Sequence, residues 1–187
     1  MTTPTLILAS SSPRRKELLH KITDNFIISV PICDETENGS PEFVAENNAI
    51  IKGKNTVGDF IIACDTVVAL DGVIYGKPLT ESKAFDMLSE LNGKTHTVYS
   101  GVYIRYFDEE ITFIETSDVT MKQLSEADII AYIKEFKPLD KAGSYGLQDG
   151  VTVKSFVGSR DNIIGLPTEK IREILRKFIN VKEDSDY

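Results

Sequence analysis

Tryptophan is absent from this 187-residue chain, and histidine and cysteine occur only twice each. Cys33 and Cys64 stand far apart, form no Cys-x-x-Cys pair and have too few companions for a zinc site or a disulfide framework, so a reducing cytoplasm is the expected compartment. No window approaches the roughly twenty apolar residues of a membrane span, and no basic stretch followed by an apolar core opens the sequence, so neither membrane insertion nor secretion is expected. Positive charge is also in deficit. Lys and Arg number 21 against 29 Asp and Glu, a net charge of −8, which argues against a broad face for nucleic acid or acidic lipid and confines any anion site to a local cluster. Repeats, low-complexity tracts and long linkers are missing as well. What remains, with 41% hydrophobic residues, suits one globular domain or one elongated domain of two lobes over 1–181, with the acidic residues 182–187 as a flexible tail.

The richest local pattern lies at residues 8–15, Leu8-Ala9-Ser10-Ser11-Ser12-Pro13-Arg14-Arg15. Leu6, Ile7 and Leu8 read as a short buried strand, Ser11 or Ser12 as a helix cap, and Pro13 as the first residue of a helix running to about residue 21. Such a strand–turn–helix corner offers free amides, the helix dipole and two guanidinium groups to phosphate oxygens. Taken alone, the pattern fits an ordinary capped helix with solvated arginines better.

Further along, Phe26 to Val30 reads as a strand, Asp34, Glu35 and Glu37 as an acidic loop, and Phe43 to Lys54 as a helix. Phe60 to Ala63 returns as a buried strand, and Val67 to Leu70 with Val73 to Tyr75 forms a hairpin about Asp71-Gly72. Thr80 caps a helix ending near Gly93. Residues 97–107 and 111–121 read as an antiparallel pair joined through Asp108-Glu109-Glu110, and Ser125 with Asp128 marks a capped helix stopped by Pro138. A glycine-rich loop at 143–150, a strand at 151–157 and a helix at 168–179 complete the pattern.

Asp65 interrupts an apolar strand, where a carboxylate is costly without a metal, a cation or a proton-transfer role; a break in the strand at Asp65-Thr66 is the competing reading. Glu35, in an acidic loop, reads as a solvated charge or, with Asp65, as an oxygen donor for a hard ion. Lys52 and Lys77 read as surface or turn lysines unless phosphate is nearby. His96 reads as structural, Tyr145 as a loop support or a stacking surface, and Asp140-Lys141 as an ion pair or a further contact with metal and phosphates.

In order along the chain, these blocks resemble the Maf family of nucleoside triphosphate pyrophosphatases. The resemblance is carried by Ala9 to Arg15, Asp34-Glu35, Lys52, Cys64 to Val68, Gly76-Lys77-Pro78, Leu91 to His96, Ser100-Gly101-Val102, Asp140 to Gln148 and Asn162 to Pro167. It implies an α/β fold, an elongated mixed sheet with flanking helices around a central cleft, and a homodimer. It implies cleavage of a nucleoside triphosphate between its α and β phosphates, with Asp65 as catalytic base and a divalent cation (Mg²⁺, Mn²⁺ or Co²⁺) held by Glu35 and Asp65. Ser10, Arg14, Arg15, Lys52 and Lys77 would bind substrate, and Arg14, Thr66 and Gln148 would sort bases as in the branch acting on dTTP and UTP. Asp149 stands where glycine is common in the family, so a carboxylate beside Gln148 is expected to alter base preference or repel polyphosphate. Three alternatives stay open: the 7-methyl-GTP branch, a non-catalytic nucleotide sensor affecting septum formation and cell division, and, from the opening motif alone, a nucleotidyltransferase.

Overall fold

Leu6–Leu8 (β1) is a run of three buried apolar residues, the pattern of a strand covered on both faces. A computed structural model describes residues 4–182; the expected tail lies, from residue 183 on, outside them. β1 pairs in parallel with Phe26–Ile28 (β2) on one side and with Phe60–Leu70 (β3) on the other. β3 continues antiparallel to Thr95–Tyr106 (β5), which pairs with Glu109–Met121 (β6), which pairs with Val153–Val157 (β7). Val73–Tyr75 (β4) folds back on the far end of β3. The seven strands form one mixed sheet in the order β2-β1-β3-β5-β6-β7, with β4 beside β3, in agreement with the expected α/β class.

Pro41–Lys54 (α2) covers one face, with Ala45 and Ala49 against Ala63, Val67 and Tyr103. It lies close because the strand offers no side chain at Gly101, where a Cβ would stand 2.2 Å from the Ala45 carbonyl oxygen. The opposite face is covered at two ends. Pro13–His20 (α1) and Thr168–Leu175 (α6) bury Leu18, Leu19, Ile171 and Leu175 against Leu8, Ile62 and Cys64. Glu81–Leu91 (α3) and Glu126–Phe136 (α4) bury Leu88, Leu91, Ile129 and Ile133 against Val68 and Val98. Each fully buried Leu or Ile of this kind contributes roughly 1.5–3 kcal/mol of transfer free energy.

The local signals act as their chemistry requires. Ser12 caps α1 through Arg15 N–H, and Ser125 and Asp128 form a reciprocal capping box on α4. Asp71 and Gly72 both take positive φ, +51° and +81°, as a two-residue hairpin of primed type demands. Three expectations need correction, and one element is additional. β3 does not break at Asp65, which stays in register with Gly101. The β5–β6 turn is Phe107-Asp108 rather than the acidic triplet, because Glu110 belongs to the strand and accepts a 2.7 Å hydrogen bond from Tyr103 Oη. The final helix stops at Leu175. A short helix, Arg160–Ile164 (α5), was not anticipated, since five residues are too few for a periodic signal.

Candidate active site

The pairing of β3 creates the site. β1 covers its edge only at Phe60 to Ile62 and β4 only from Val68 onward, so residues 63–67 have no strand neighbour on that side. A cleft of about 840 Å³ opens at this gap. Alternation then sends Asp65 toward α2 and Thr66 toward the opposite face, and both reach the same cavity from one strand.

Asp65, 9% exposed, is compensated by a cation. Lys52 Nζ lies 2.5 Å from Asp65 Oδ1 and 2.9 Å from a Glu35 carboxylate oxygen, bridging the two acids. Asn48, one helical turn before Lys52, donates from Nδ2 to Asp65 Oδ2 at 3.3 Å and exchanges hydrogen bonds with the Thr36 backbone at 2.8 and 3.0 Å, which ties the acidic loop to α2. Asn48 was missed in the sequence reading; its i, i+4 spacing from Lys52 was the available signal.

Across the cleft, Arg15 is a hub rather than a free phosphate grip. Its Nε donates to the Gly165 carbonyl at 2.9 Å, and its terminal nitrogens donate to Ser10 Oγ at 3.3 Å and Thr66 Oγ1 at 3.2 Å. Thr66 Oγ1 in turn pairs with Ser100 Oγ at 2.9 Å. Arg14 donates to Asp140 Oδ2 at 2.7 Å, linking α1 to the loop after α4. Burial raises the Asp140 carboxyl, but the hydrogen bond and charge of Arg14 outweigh that and hold it below its ordinary value. Lys141 Nζ lies 3.3 Å from Asp140 Oδ1. Lys77 and Gln148 are exposed and line the same cavity.

Ser10, Arg14, Arg15, Glu35, Lys52, Asp65, Thr66, Lys77 and Gln148, the residues expected to meet substrate or metal, all border this one cleft. Tyr145 also lines it, while His96 lies behind. His96 Nε2 and Tyr145 Oη are 2.8 Å apart, and His96 Nδ1 has no hydrogen-bond partner among the described residues. Burial lowers the His96 pKa to about 4, against a smaller opposing effect of Asp118. Cys33 and Cys64 are both free thiols.

The description "Maf-like protein" fits residues 5–178, the whole length over which this cleft is built. The chain belongs to the Maf family. Its relatives include a dTTP/UTP pyrophosphatase of Thermosipho africanus, 43% identical over 91% of each chain. Proteins of the same name from Bacillus cereus and Bacteroides thetaiotaomicron are 40% and 37% identical, covering 92% of this chain and 95% of theirs. Among solved structures, the Staphylococcus aureus Ham1 protein shares the fold of this Maf chain, with a TM-score of 0.53 and 18% identity over 92% of this chain and 98% of that one.

Proposed function

We propose that this Maf protein hydrolyses dTTP and UTP to the monophosphate and pyrophosphate. The observation that carries the reading is the gathering of these groups in one cleft: Asp65 and Glu35 joined by Lys52 against α2, Arg14 and Arg15 at the start of α1, and Lys77 lining the same cavity. The names of relatives 37–43% identical over nearly the whole chain support it.

In this reading water attacks the α-phosphorus, the bond from that phosphorus to the α,β-bridging oxygen breaks, and pyrophosphate leaves. Asp65 accepts the water proton as general base, held for that task by Lys52 and Asn48. Arg14 and Lys77 meet phosphate oxygens, Lys52 offsets the charge that accumulates on them, and Arg15 keeps Ser10 and Thr66 in place beside them. Arg14, Thr66 and Gln148 sort bases; the amide of Gln148 can both donate to and accept from a pyrimidine edge.

Glu35 and Asp65 fit a divalent cation. Two hard carboxylates already converge on one positive group at the edge of the cleft, the protein share of a shell that substrate phosphates complete. No group of three or more His, Cys, Asp or Glu side chains suited to a metal occurs among the described residues, so the ion would be held jointly with substrate. When bound, it supplies electrostatic stabilisation of the polyphosphate.

We further place the enzyme in the cytoplasm, as a single domain of two lobes that works as a homodimer. The free thiols support the compartment, no helix among the described residues is long and apolar enough to cross a membrane, and exposed Ile27, Ile28, Val30 and Ile32 beside edge strand β2 support self-association. Light scattering on the eluting protein checks the dimer. A panel of dTTP, UTP, CTP, GTP and 7-methyl-GTP with Mg²⁺, Mn²⁺ or Co²⁺, and with chelator, tests the activity. Pyrimidine-selective, metal-dependent pyrophosphate release is expected, and nucleotide binding without turnover under every condition would favour a sensor instead.

A further inference from the structure

Gln148 sits in a single turn of 3-10 helix, Leu147–Asp149, exposed to the cleft. Among the described residues the backbone holds this turn with two long bonds, Asp149 N–H to Gly146 O at 3.2 Å and Gly150 N–H to Leu147 O at 3.3 Å. One turn of this kind is not rigid by itself. A base-reading amide, however, needs a position fixed to a few tenths of an ångström.

α4 supplies what the turn lacks. The Tyr132 hydroxyl accepts a hydrogen bond from the buried Gly146 N–H at 3.0 Å and donates one to Asp149 Oδ2 at 2.6 Å. The Asp149 carboxylate lies over the Gly146 Cα, where a Cβ would stand 2.7 Å from Oδ2. A closed ring of contacts therefore brackets Leu147 and Gln148 on both sides. Its anchor cannot drift, because Tyr132 is 2% exposed and stacks on Phe136 at 5.0 Å between ring centroids. Burial and the Asp149 carboxylate both raise the Tyr132 pKa, so the phenol remains a donor. Just upstream, the Tyr145–His96 bond pins the other end of the loop.

We propose that Tyr132 and Asp149 are positioning residues for base selection, a clamp that fixes Gln148 at the cleft. The proposal rests on the dTTP/UTP pyrophosphatase reading. It also revises the expectation for Asp149, whose carboxylate turns to α4 and does not line the cleft with Gln148. Losing the Tyr132 hydroxyl strands a buried N–H and releases a carboxylate next to the base reader.

The test is steady-state kinetics on dTTP, UTP, CTP and GTP for wild type, Tyr132→Phe, Asp149→Ala and Asp149→Asn. Tyr132→Phe and Asp149→Ala should lower kcat/KM for dTTP by about 10-fold, mainly through KM, and compress the dTTP-to-GTP ratio by a similar factor. Asp149→Asn, which keeps an acceptor oxygen for the phenol, should restore the ratio to within about 3-fold of wild type. In a Gln148→Ala background, Tyr132→Phe should leave the ratio unchanged. A residue that only stabilises the fold would lower Tm without moving the ratio, and that result in folded Tyr132→Phe and Asp149→Ala would overturn the proposal. Hydrogen exchange of the Gly146 amide in nucleotide-free protein separates the clamp from the activity. Tyr132→Phe should speed it by at least about 10-fold; an unchanged rate would refute the clamp, whereas inactivity of wild type on all four nucleotides would refute the functional reading.

Discussion

Lys52 is held between two acids, and its removal separates what the ion pair contributes to folding from what it contributes to chemistry. Asp65 is nearly buried and Lys52 has a side chain 12% exposed, so truncating one partner leaves the other poorly compensated. Lys52→Met is expected to cost on the order of 1–3 kcal/mol in urea unfolding, and the double variant Lys52→Met, Asp65→Asn should recover most of that loss. Both variants should lack turnover. An unchanged unfolding midpoint for Lys52→Met would mean that Asn48 and solvent suffice for the carboxylate. At this scale the sequence was legible in part. A carboxylate inside Phe60 to Leu70 announced that it needed a partner, and Lys52 was among the marked residues. That the partner was a cation sharing Glu35, with Asn48 closing the set, depends on α2 crossing β3, a long-range contact that no local pattern records. Arg15 was read as a phosphate ligand from its place beside a helix start, yet its contacts to Gly165, Ser10 and Thr66 come from three separate segments.

Strand β3 and helix α2 together decide the geometry of the site. The helix must lie close enough for Lys52 and Asn48 to reach Asp65, and the missing side chain at Gly101 permits it. Gly101→Ala forces its new methyl against the backbone oxygen of Ala45, which cannot rotate away. The expected cost is about 1–3 kcal/mol of stability, with a fall in kcat larger than the loss of folded protein explains. Equilibrium unfolding beside activity at a temperature where the variant is fully folded checks this; activity proportional to folded fraction would show that α2 recovers its position. Most elements were readable, since β3, α2, α3 and α4 carry long periodic or alternating patterns and recognisable caps. The gap between β1 and β4 was not. It follows from how far two three-residue strands extend along β3, and strand ends are set by pairing partners rather than by propensity.

For the molecule as a whole, the sheet is shared while the helices gather at two ends, so the cleft is bordered by both hydrophobic clusters. His96, buried behind the cleft, makes the stability of that arrangement sensitive to acid. Its folded pKa of about 4 lies below the ordinary 6.5, so the unfolded chain takes up the proton first as pH falls. The contribution of neutral His96 to stability is full above pH 6.5 and is expected to be lost between 6.5 and about 4, by up to roughly 3 kcal/mol. Urea unfolding across that range should show the decline, and His96→Gln should flatten it; an equal slope in the variant would assign the acid limb to other groups. The structural reading of His96 agrees with its burial, but its bond to Tyr145 joins residues 49 apart and was not visible, although the order of motifs was enough to place the chain in its family.

Pyrophosphate release from dTTP with Mg²⁺, wild type beside Asp65→Asn, tests the account most directly. Wild type should turn over steadily, and the variant should lose about 100-fold or more with an unchanged fold by circular dichroism. Comparable rates from the two proteins would contradict it, because the carboxylate that α2 and β3 are arranged to hold would then have no part in the reaction.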